Sequence, residues 1–418
     1  MLETTLAFFA PELALLATAV IIMLRVILFP KACPSCDFRL GWLGFFASVA
    51  FAIVAIGGKA DSLDDPLMQM LAGDTLGLIS KLLIAGAGLI VMTHARPWFA
   101  EKRAMAPEIP FLFATSALGL MLMASSVNFL MMLVGLETAS LGMYVLASSL
   151  KRERPSIEAG VKFFLNSAFA TAILMWGISI IFGISGSLDF DTVRSSMLQF
   201  YNVEIKPFPM LAALAIILGL GFKITLFPFH LWAPDVYQGS PTPFTGFLAT
   251  ASKVAGVVVL IRVFAGPLHY IYQDLSGLMW ILSALTMLAA SATALWQVNA
   301  KRLLAYSSIS HAGFVLMGIA ALKGAGDDGL TASVFYLIPY MVATAGAFMV
   351  VSHIERVKGD TSLKAFNGLW KSDPGLAFAM VVFLASLAGL PPTLGFVGKF
   401  MLFASAYESG LRWLLASA

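Results

Sequence analysis

Long apolar stretches recur along the whole chain, and short polar segments separate them. A helix of about 20 apolar residues is long enough to cross the hydrocarbon core of a membrane. We therefore predict an all-α polytopic membrane protein, whose last helix begins near Leu411. The other predicted helices cover residues 6–29, 41–58, 75–95, 107–125, 127–150, 156–184, 207–227, 243–265, 275–298, 302–322, 330–353 and 374–406.

Prolines interrupt two of these helices. The seventh runs into Phe227-Pro228, and the twelfth contains Pro391-Pro392. Proline removes a backbone donor, and inside a membrane the freed carbonyls must be buried in protein or line a water-filled cavity. Each interrupted helix is the fourth of a five-helix block, helices 4–8 and helices 9–13.

An odd-numbered block that is repeated head to tail inserts upside down relative to the first copy. Paired interrupted helices in two inverted halves indicate the central site of a transporter. We predict three N-terminal helices in residues 1–100, a first inverted repeat in residues 101–265 and a second in residues 266–418.

The charges of this chain are few and unevenly placed. Charged residues make up 12% of the 418 positions, and hydrophobic residues make up 59%. Soluble domains contain about 25% charged residues. Lys and Arg concentrate in alternate loops, whereas the other loops collect Asp. This alternation predicts an N-terminus outside and a cytoplasmic first loop.

The sequence lacks the motifs of several kinds of cofactor binding and catalysis. The sequence contains no Gly-rich phosphate loop, no cysteine set for haem or iron–sulfur clusters and no nucleophile elbow. Its two cysteines, Cys33 and Cys36, form a single CxxC. Without a second pair or a suitable His cluster, we predict an incidental loop pair and no metal or cofactor site on this chain.

Four charged residues lie deep inside predicted membrane helices: Glu137, Lys223, Lys253 and Lys399. Charges at this depth are expensive, so they indicate a functional site. A carboxylate close to a lysine stabilises the ammonium, whereas separation in a dry interior favours release of the proton. Glu137 and Lys223 would form such a proton switch if their helices touch.

Three further residues are candidates for a secondary relay. Lys162 lies two turns into its helix, with Glu158 at i−4 as a local ion-pair partner. His230 and His311 adjoin the interrupted or polar segments HLWAPD and YSSISHAGF. Each histidine is either a polar relay that anchors water or a structural residue with satisfied hydrogen bonds.

The remaining charged and histidine side chains of the membrane helices lie near predicted helix ends. We expect Lys81 and Arg262 to extend toward the membrane interface along their aliphatic stems. We also expect His94, His269 and His353 to be interfacial.

Five segments carry a resemblance to a known family. They are FKITLFPFHLWAPDVYQGSPTPFTGFLATASKVAG, GLETASLGMYVLA, EAGVKFFLNSAFATAILMWG, KRLLAYSSISHAGFVLMG and LASLAGLPPTLGFVGKF. In this order they resemble the proton-translocating, antiporter-like membrane subunits of respiratory complex I. Within that family, PDVYQGSPTPFT and the lysine of GFVGKF are most similar to the subunit N branch of bacterial NADH-quinone oxidoreductase.

The resemblance implies fourteen helices, two inverted five-helix repeats and a hydrated polar axis. The printed sequence ends as a thirteenth helix begins, so we expect that the C-terminal part of the second repeat is missing. The resemblance assigns Glu137 and Lys223 to the switch of the first half-channel. It assigns Lys253 as the connecting lysine of the proton path and Lys399 as the matching residue of the second half-channel.

The resemblance also implies a place in the cell and a set of partners. We expect a multi-pass protein of the bacterial inner membrane, in contact with lipid and with other membrane-arm subunits, such as subunit M and the small subunit K. Flavin, iron–sulfur clusters and quinone would belong to partner subunits, and quinone reduction there would drive the protons. No nucleic acid partner is expected.

Other functions stay open at this point. A cation/proton antiporter subunit would share the fold and the buried lysines, but sodium requires oxygen ligands and only one deep carboxylate is predicted. The membrane arm of a hydrogenase or formate-linked complex would differ only in its partners. A membrane scaffold would gain nothing from deep charges.

Overall fold

The structure is a computed structural model that describes residues 2–29, 34–57, 70–202, 207–323 and 328–417. These residues form α-helices and two short 3₁₀ helices, and Leu71 and Ser126 form an isolated antiparallel β-bridge. The first helices are α1 (Leu2–Leu28), α2 (Pro34–Gly57), α3 (Thr75–Glu101), α4 (Glu108–Ser125), α5 (Phe129–Ala147), α6 (Arg154–Ser185), α7 (Phe190–Asn202), α8 (Pro207–Ile224) and α9 (Trp232–Gly239). They are followed by α10 (Thr242–Ala265), α11 (His269–Ala294), α12 (Ala300–Ala320), α13 (Asp328–Lys358), α14 (Leu369–Ser372), α15 (Pro374–Ala388), α16 (Leu394–Glu408) and α17 (Arg412–Ser417).

Within the described residues, eleven helices are long and apolar enough to span a membrane. The chain is therefore a multi-pass α-helical membrane protein, and the fold class predicted from the apolar pattern is confirmed. The inverted repeats and the three predicted domains stay predictions. The amphipathic helix α7 was not predicted, because its polar residues hide it from a pattern based on long apolar runs.

Side-chain caps explain where several helices begin. The Asp74 carboxylate accepts a hydrogen bond from the Gly77 amide at 2.8 Å, and the Asn128 side chain accepts one from Leu130 at 2.9 Å. Asn299 and Thr393 cap α12 and α16 in the same way. Such residues satisfy amides that the first turn of a helix leaves without a partner.

The described chain forms two compact units. The first unit comprises Met1–Phe163, Val236–Ala255 and Ala345–Met380. Inside it, α4 and α5 approach closely through glycine: a Cβ at Gly119 would lie 2.5 Å from the Ala139 amide nitrogen, and one at Gly135 would lie 2.5 Å from that of Met123. Small residues permit this kind of backbone approach in membranes. The contact fixes α5, the helix that carries Glu137.

The second unit comprises Phe164–Asp235, Gly256–Thr344 and Val381–Ala418. Helix α12 lies at its core: Ser283 of α11 donates to the Gly313 carbonyl at 2.8 Å, and Ser333 of α13 donates to the Val315 carbonyl at 3.1 Å. Helix α16 also packs against α12. Helix α12 therefore holds its polar residues between several neighbouring helices.

Candidate functional site

The second unit contains the first helix break, between α8 and α9. Helix α8 ends at Ile224, and Thr225 adopts a left-handed backbone with φ of 64°. The Leu226 amide donates to the Gly221 carbonyl at 2.8 Å, and the Trp232 indole donates to the Phe222 carbonyl at 3.3 Å. The interruption predicted from the prolines is thus confirmed, and protein donors bind carbonyls that the break sets free.

A further contact holds the turn after the break. The Phe227 amide donates to the Thr286 hydroxyl of α11 at 3.0 Å. His230 follows in the same turn, where it is buried and its ring lies 5.6 Å from that of Phe227 in a stacked arrangement. The turn is therefore an ordered, buried connection rather than a loose loop.

Lys223 lies in the last turn of α8 and is only 4% exposed. The C-terminal end of a helix carries partial negative charge, which favours a cation at this position. Gly256 of α10 faces the lysine, since a Cβ at Gly256 would lie 3.6 Å from Lys223 Cγ. The depth predicted for Lys223 agrees with its burial here.

The second break separates α15 from α16. Helix α15 ends at Ala388, and Gly389 has a φ of 81°. Lys399 of α16 reaches back across the break and donates to the Ala388 carbonyl at 3.3 Å. Its Nζ also lies 4.4 Å from the centre of the Phe314 ring. Lys399 thus follows its break, whereas Lys223 precedes its own, so the two lysines occupy different positions relative to the interruptions.

A buried hydrogen-bonded cluster connects α12 with α13. His311 Nδ1 lies 2.6 Å from the Tyr336 hydroxyl, and the Ser308 hydroxyl lies 2.7 Å from that of Tyr340. Helix α16 joins this cluster, because a Cβ at Gly398 would lie 2.7 Å from Tyr336 Cδ2. The neighbourhood of His311 is therefore polar and contacts the helix of Lys399.

The two tyrosines of this cluster were not predicted as site residues. They lie four residues apart in FYLIPYMV, inside an otherwise apolar span. Buried tyrosine hydroxyls at helical spacing are a signal that could have found them, because a buried hydroxyl needs a partner.

The first unit contains Glu137, Lys162 and Lys253. Glu137 is half-buried on α5, and Lys253 is 3% exposed on α10, the most buried of the membrane spans. Lys162 Nζ lies 2.7 Å from Glu158 Oε1, as the i−4 spacing predicted, but the two side chains are 42% and 64% exposed. An exposed pair of this kind contributes little to stability.

The expectation that Lys81 extends to the membrane interface is wrong. Lys81 is 0% exposed, and its Nζ lies 2.8 Å from Glu12 Oε1 and 3.0 Å from the Phe8 carbonyl oxygen. In the sequence Lys81 lies near one end of a predicted helix, and Glu12 was not predicted as its partner. The signal that could have found the pair is a carboxylate directly after Pro11 in the first apolar run.

The interfacial position expected for His94 stays a prediction. His94 is buried within α3, and its Nδ1 lies 3.0 Å from the Ile90 carbonyl oxygen. One turn further, the Trp98 indole donates to Glu355 Oε2 at 2.9 Å, and the Thr242 hydroxyl donates to the same oxygen. Helices α3, α10 and α13 of the first unit therefore meet at one carboxylate.

The described ranges contain no group of three or more His, Cys, Asp or Glu residues that could hold a metal ion. Cys36 is an exposed free thiol. Cys33 lies outside the described residues, so the predicted incidental pair stays a prediction.

Comparisons with known proteins agree on one family. Residues 126–418 match the family model described as NADH:quinone oxidoreductase/Mrp antiporter, TM. The NADH-quinone oxidoreductase subunit N of Desulfitobacterium hafniense is 35% identical over 96% of this chain and 84% of the relative.

Two solved structures have a similar fold. A chain of respiratory complex I from Thermus thermophilus has a TM-score of 0.81 and 33% identity, and the match covers 97% of this chain and 85% of that one. A chain of the Mrp complex from Dietzia sp. DQ12-45-1b has a TM-score of 0.83 at 19% identity, covering 100% of this chain and 77% of that one. The second similarity concerns the fold alone.

Proposed function

The chain belongs to the NADH:quinone oxidoreductase/Mrp antiporter family of membrane subunits, and we propose that it is a proton-translocating membrane-arm subunit of an NADH-quinone oxidoreductase. The observation that carries the proposal is the burial of Lys223 at the end of an interrupted membrane helix. A lysine at such depth is expensive to charge. A membrane protein has reason to keep such a lysine if the side chain must both bind and release a proton.

In this proposal Glu137 and Lys223 are the two members of a proton switch. When the carboxylate is close, Lys223 keeps its proton, and when the two separate, the dry surroundings favour release. Lys253 receives the proton and passes it onward. Lys399, at the second break, exchanges the proton with the far side of the membrane.

His311 is proposed as a secondary relay group. Its contact with Tyr336 and the neighbouring Ser308–Tyr340 pair supply hydroxyls through which a proton can move by hydrogen-bond exchange. His230 and Lys162 are proposed as secondary relay groups, His230 because it is buried in the turn after Lys223. The exposed Lys162–Glu158 pair would take up protons from water where they enter the protein.

We further propose that the chain works inside a larger complex in the bacterial inner membrane, with the N-terminus outside. Subunits such as M and K would be its neighbours. Flavin, iron–sulfur clusters and quinone would lie in partner subunits, and quinone reduction there would supply the driving force. The protons would enter from the cytoplasm and leave outside.

A cation/proton antiporter subunit is the second candidate, because the description of the matching family names Mrp antiporters. Copurification separates the two candidates. A chain of NADH-quinone oxidoreductase copurifies with NADH-oxidising iron–sulfur subunits, whereas an antiporter chain copurifies with exchanger subunits and drives sodium uptake into vesicles.

The experiment that tests the proposed function compares Lys223→Ala with Lys371→Ala in the purified complex, reconstituted into proteoliposomes. Lys371 is exposed in α14 and serves as the matched lysine control. We expect Lys223→Ala to assemble but to pump about a hundredfold more slowly, the usual range for the loss of a positioned acid or base. Normal pumping by an assembled Lys223→Ala complex would reject the proposal.

A further inference from the structure

We propose that Glu12 and Lys81 form an additional proton-binding site, in the N-terminal helices α1–α3, that takes up and returns one proton. The site is not among the relay residues described above, and it rests on the proposed function in that its proton would join the same translocation. Its geometry is that of a closed pair: Lys81 Nζ lies 2.8 Å from Glu12 Oε1, and the two side chains are 0% and 5% exposed.

The lysine end of this pair is fully occupied. Besides the carboxylate, Nζ donates to the Phe8 carbonyl at 3.0 Å and lies 3.3 Å from the centre of the Phe8 ring and 5.3 Å from that of Phe9. A ring face attracts a cation, so this arrangement suits the ammonium form. Pro11 removes one hydrogen bond of α1 in this same turn.

The Glu12 carboxylate, in contrast, has unused hydrogen-bonding capacity. Among the described residues, Glu12 Oε2 is buried without a hydrogen-bond donor. An ionised carboxylate has room for about four hydrogen bonds, and a buried ion pair with such a deficit adds little to stability relative to an apolar pair. The free oxygen is therefore a place where a proton can bind, and this distinguishes the pair from a purely structural contact.

The proton exchange balances in three steps, all on the polar side. A proton arriving there forms an O–H bond at Glu12 Oε2 and neutralises the carboxylate. The Lys81 ammonium then gives one proton to Glu12 Oε1 across the 2.8 Å contact, its N–H electron pair stays on Nζ, and Oε2 returns its own proton to the polar side. Transfer of the remaining carboxyl proton from Oε1 to Nζ restores the starting ion pair, so one proton has been taken up and returned and no other reactant is needed.

Apolar residues close one side of the site. Phe8, Ala55 and Leu78 form a buried cluster, with Phe9 packed against it. Phe8 and Phe9 lie near the start of α1, Leu78 lies near the start of α3, and Ala55 lies near the end of α2. This end of the site is therefore apolar.

Hydroxyl groups lie on the opposite side. The Arg25–Asp37 ion pair and the contact of Thr18 with Gly44 establish that α1 and α2 are antiparallel. Ser48, one turn beyond Gly44, therefore lies at a level between Thr18 and Glu12. Its hydroxyl is buried without a hydrogen-bond partner in the described part of the chain, so this side of the site carries a polar group with unused hydrogen-bonding capacity.

Among the described residues, few other charges lie near the site. Asp74 lies at the near end of α3, where it is exposed and caps the helix. The other charged or titratable side chains described on α1–α4 lie toward the far ends of their helices: Arg25, Cys36, Asp37, Arg39, His94, Arg96, Glu101 and Glu108. Glu12 and Lys81 therefore determine each other's protonation.

The decisive comparison is between Lys81→Met and Lys81→Arg in the complex that contains this chain. Arginine preserves the ion pair but hardly gives up its proton. A structural pair tolerates arginine, whereas a proton site fails with either residue. We expect both variants, and Glu12→Gln, to lower the rate of proton pumping about a hundredfold. Asp37→Asn, which breaks the Arg25–Asp37 pair of the same helices, should pump like the wild type.

A second measurement covers the case in which Lys81→Arg does not assemble. Difference infrared spectra between acid and alkaline pH should contain a protonated-carboxyl band in the wild type that disappears in Glu12→Gln. Normal pumping by assembled Lys81→Arg, or a spectrum in which Glu12→Gln removes no such band, overturns the inference. The band is independent of Lys223, so it tests this site even if Lys223→Ala pumps normally.

Discussion

Lys399 and Ala388 are joined across a helix break, where the lysine ammonium donates to the last carbonyl of α15 at 3.3 Å. Gly389 makes this contact possible, because its φ of 81° turns the chain and its missing side chain leaves room for the lysine. A Cβ at Gly389 would lie 2.9 Å from Lys399 Cδ. The position of this candidate relay residue therefore depends on a glycine ten residues before it.

We predict that Gly389→Ala displaces Lys399 and slows proton pumping. The matched control is Gly410→Ala: Gly410 has a φ of 76°, but a Cβ there would meet no atom within 4 Å. Both variants carry a backbone strain of about 1–2 kcal/mol, so they should lose similar stability in a thermal unfolding assay. Only Gly389→Ala should lose pumping, and equal pumping by both variants would exclude the dependence on Lys399.

The Tyr336 hydroxyl is predicted to matter for proton movement at His311. Tyr336→Phe removes the 2.6 Å contact to His311 and preserves the ring. Tyr272→Phe is the control, because that buried hydroxyl donates to the Ile319 carbonyl in the same unit. Both should lower the free energy of unfolding by about 1 kcal/mol. Pumping measured in proteoliposomes should fall for Tyr336→Phe alone; a loss in both variants points to destabilisation instead.

The indole of Trp232 is predicted to stabilise the first break. Trp232→Phe keeps an aromatic ring against Phe222, whose ring centre lies 5.0 Å away, but removes the donor to the Phe222 carbonyl. The Phe222 carbonyl keeps its hydrogen bond from the Thr225 amide at 3.1 Å. Loss of the indole donor should therefore lower the free energy of unfolding by about 0.5–1.5 kcal/mol. Trp296→Phe, at a tryptophan that is 77% exposed, should leave the thermal midpoint unchanged. Equal midpoints for the two variants contradict this role of the indole.

The packing of α4 on α5 is predicted to tolerate no side chain at Gly135. Gly135→Val places atoms within 2.5 Å of the Met123 backbone, and overpacking of this kind destabilises by about 1–3 kcal/mol. The amount of assembled complex should fall. Gly183→Val in α6 meets nothing within 4 Å and should assemble normally, whereas full assembly of Gly135→Val shows that α4 and α5 can move apart.

The fold and several site residues were predictable because each has a local signal. Long apolar runs predicted the membrane helices, and Phe227-Pro228 and Pro391-Pro392 predicted the breaks. Lys223 and Lys253 were found by their depth within apolar runs. Both lysines are buried in the structure.

The Glu12–Lys81 pair was not predictable in the same way. Both residues lie in the first half of their helices, and Lys81 lies near the start of α3, where a charge normally reaches the interface. Their proximity arises from the packing of α1 and α3, which joins residues far apart in the chain. The same reason applies to Glu355, whose partners Trp98 and Thr242 come from two other helices. Hydrophobic patterns report depth along one helix and carry no information about which helices meet.

The most direct test of proton exchange at Lys223 is the number of protons pumped per NADH oxidised by a complex carrying Lys223→Arg. Arginine keeps the charge and the length of the side chain but hardly releases a proton. If Lys223 must exchange its proton, the complex that carries Lys223→Arg should still assemble, but its proton pumping should be close to zero. A proton-to-NADH ratio equal to that of the wild type would contradict the account, because a positive charge alone would then suffice at this position.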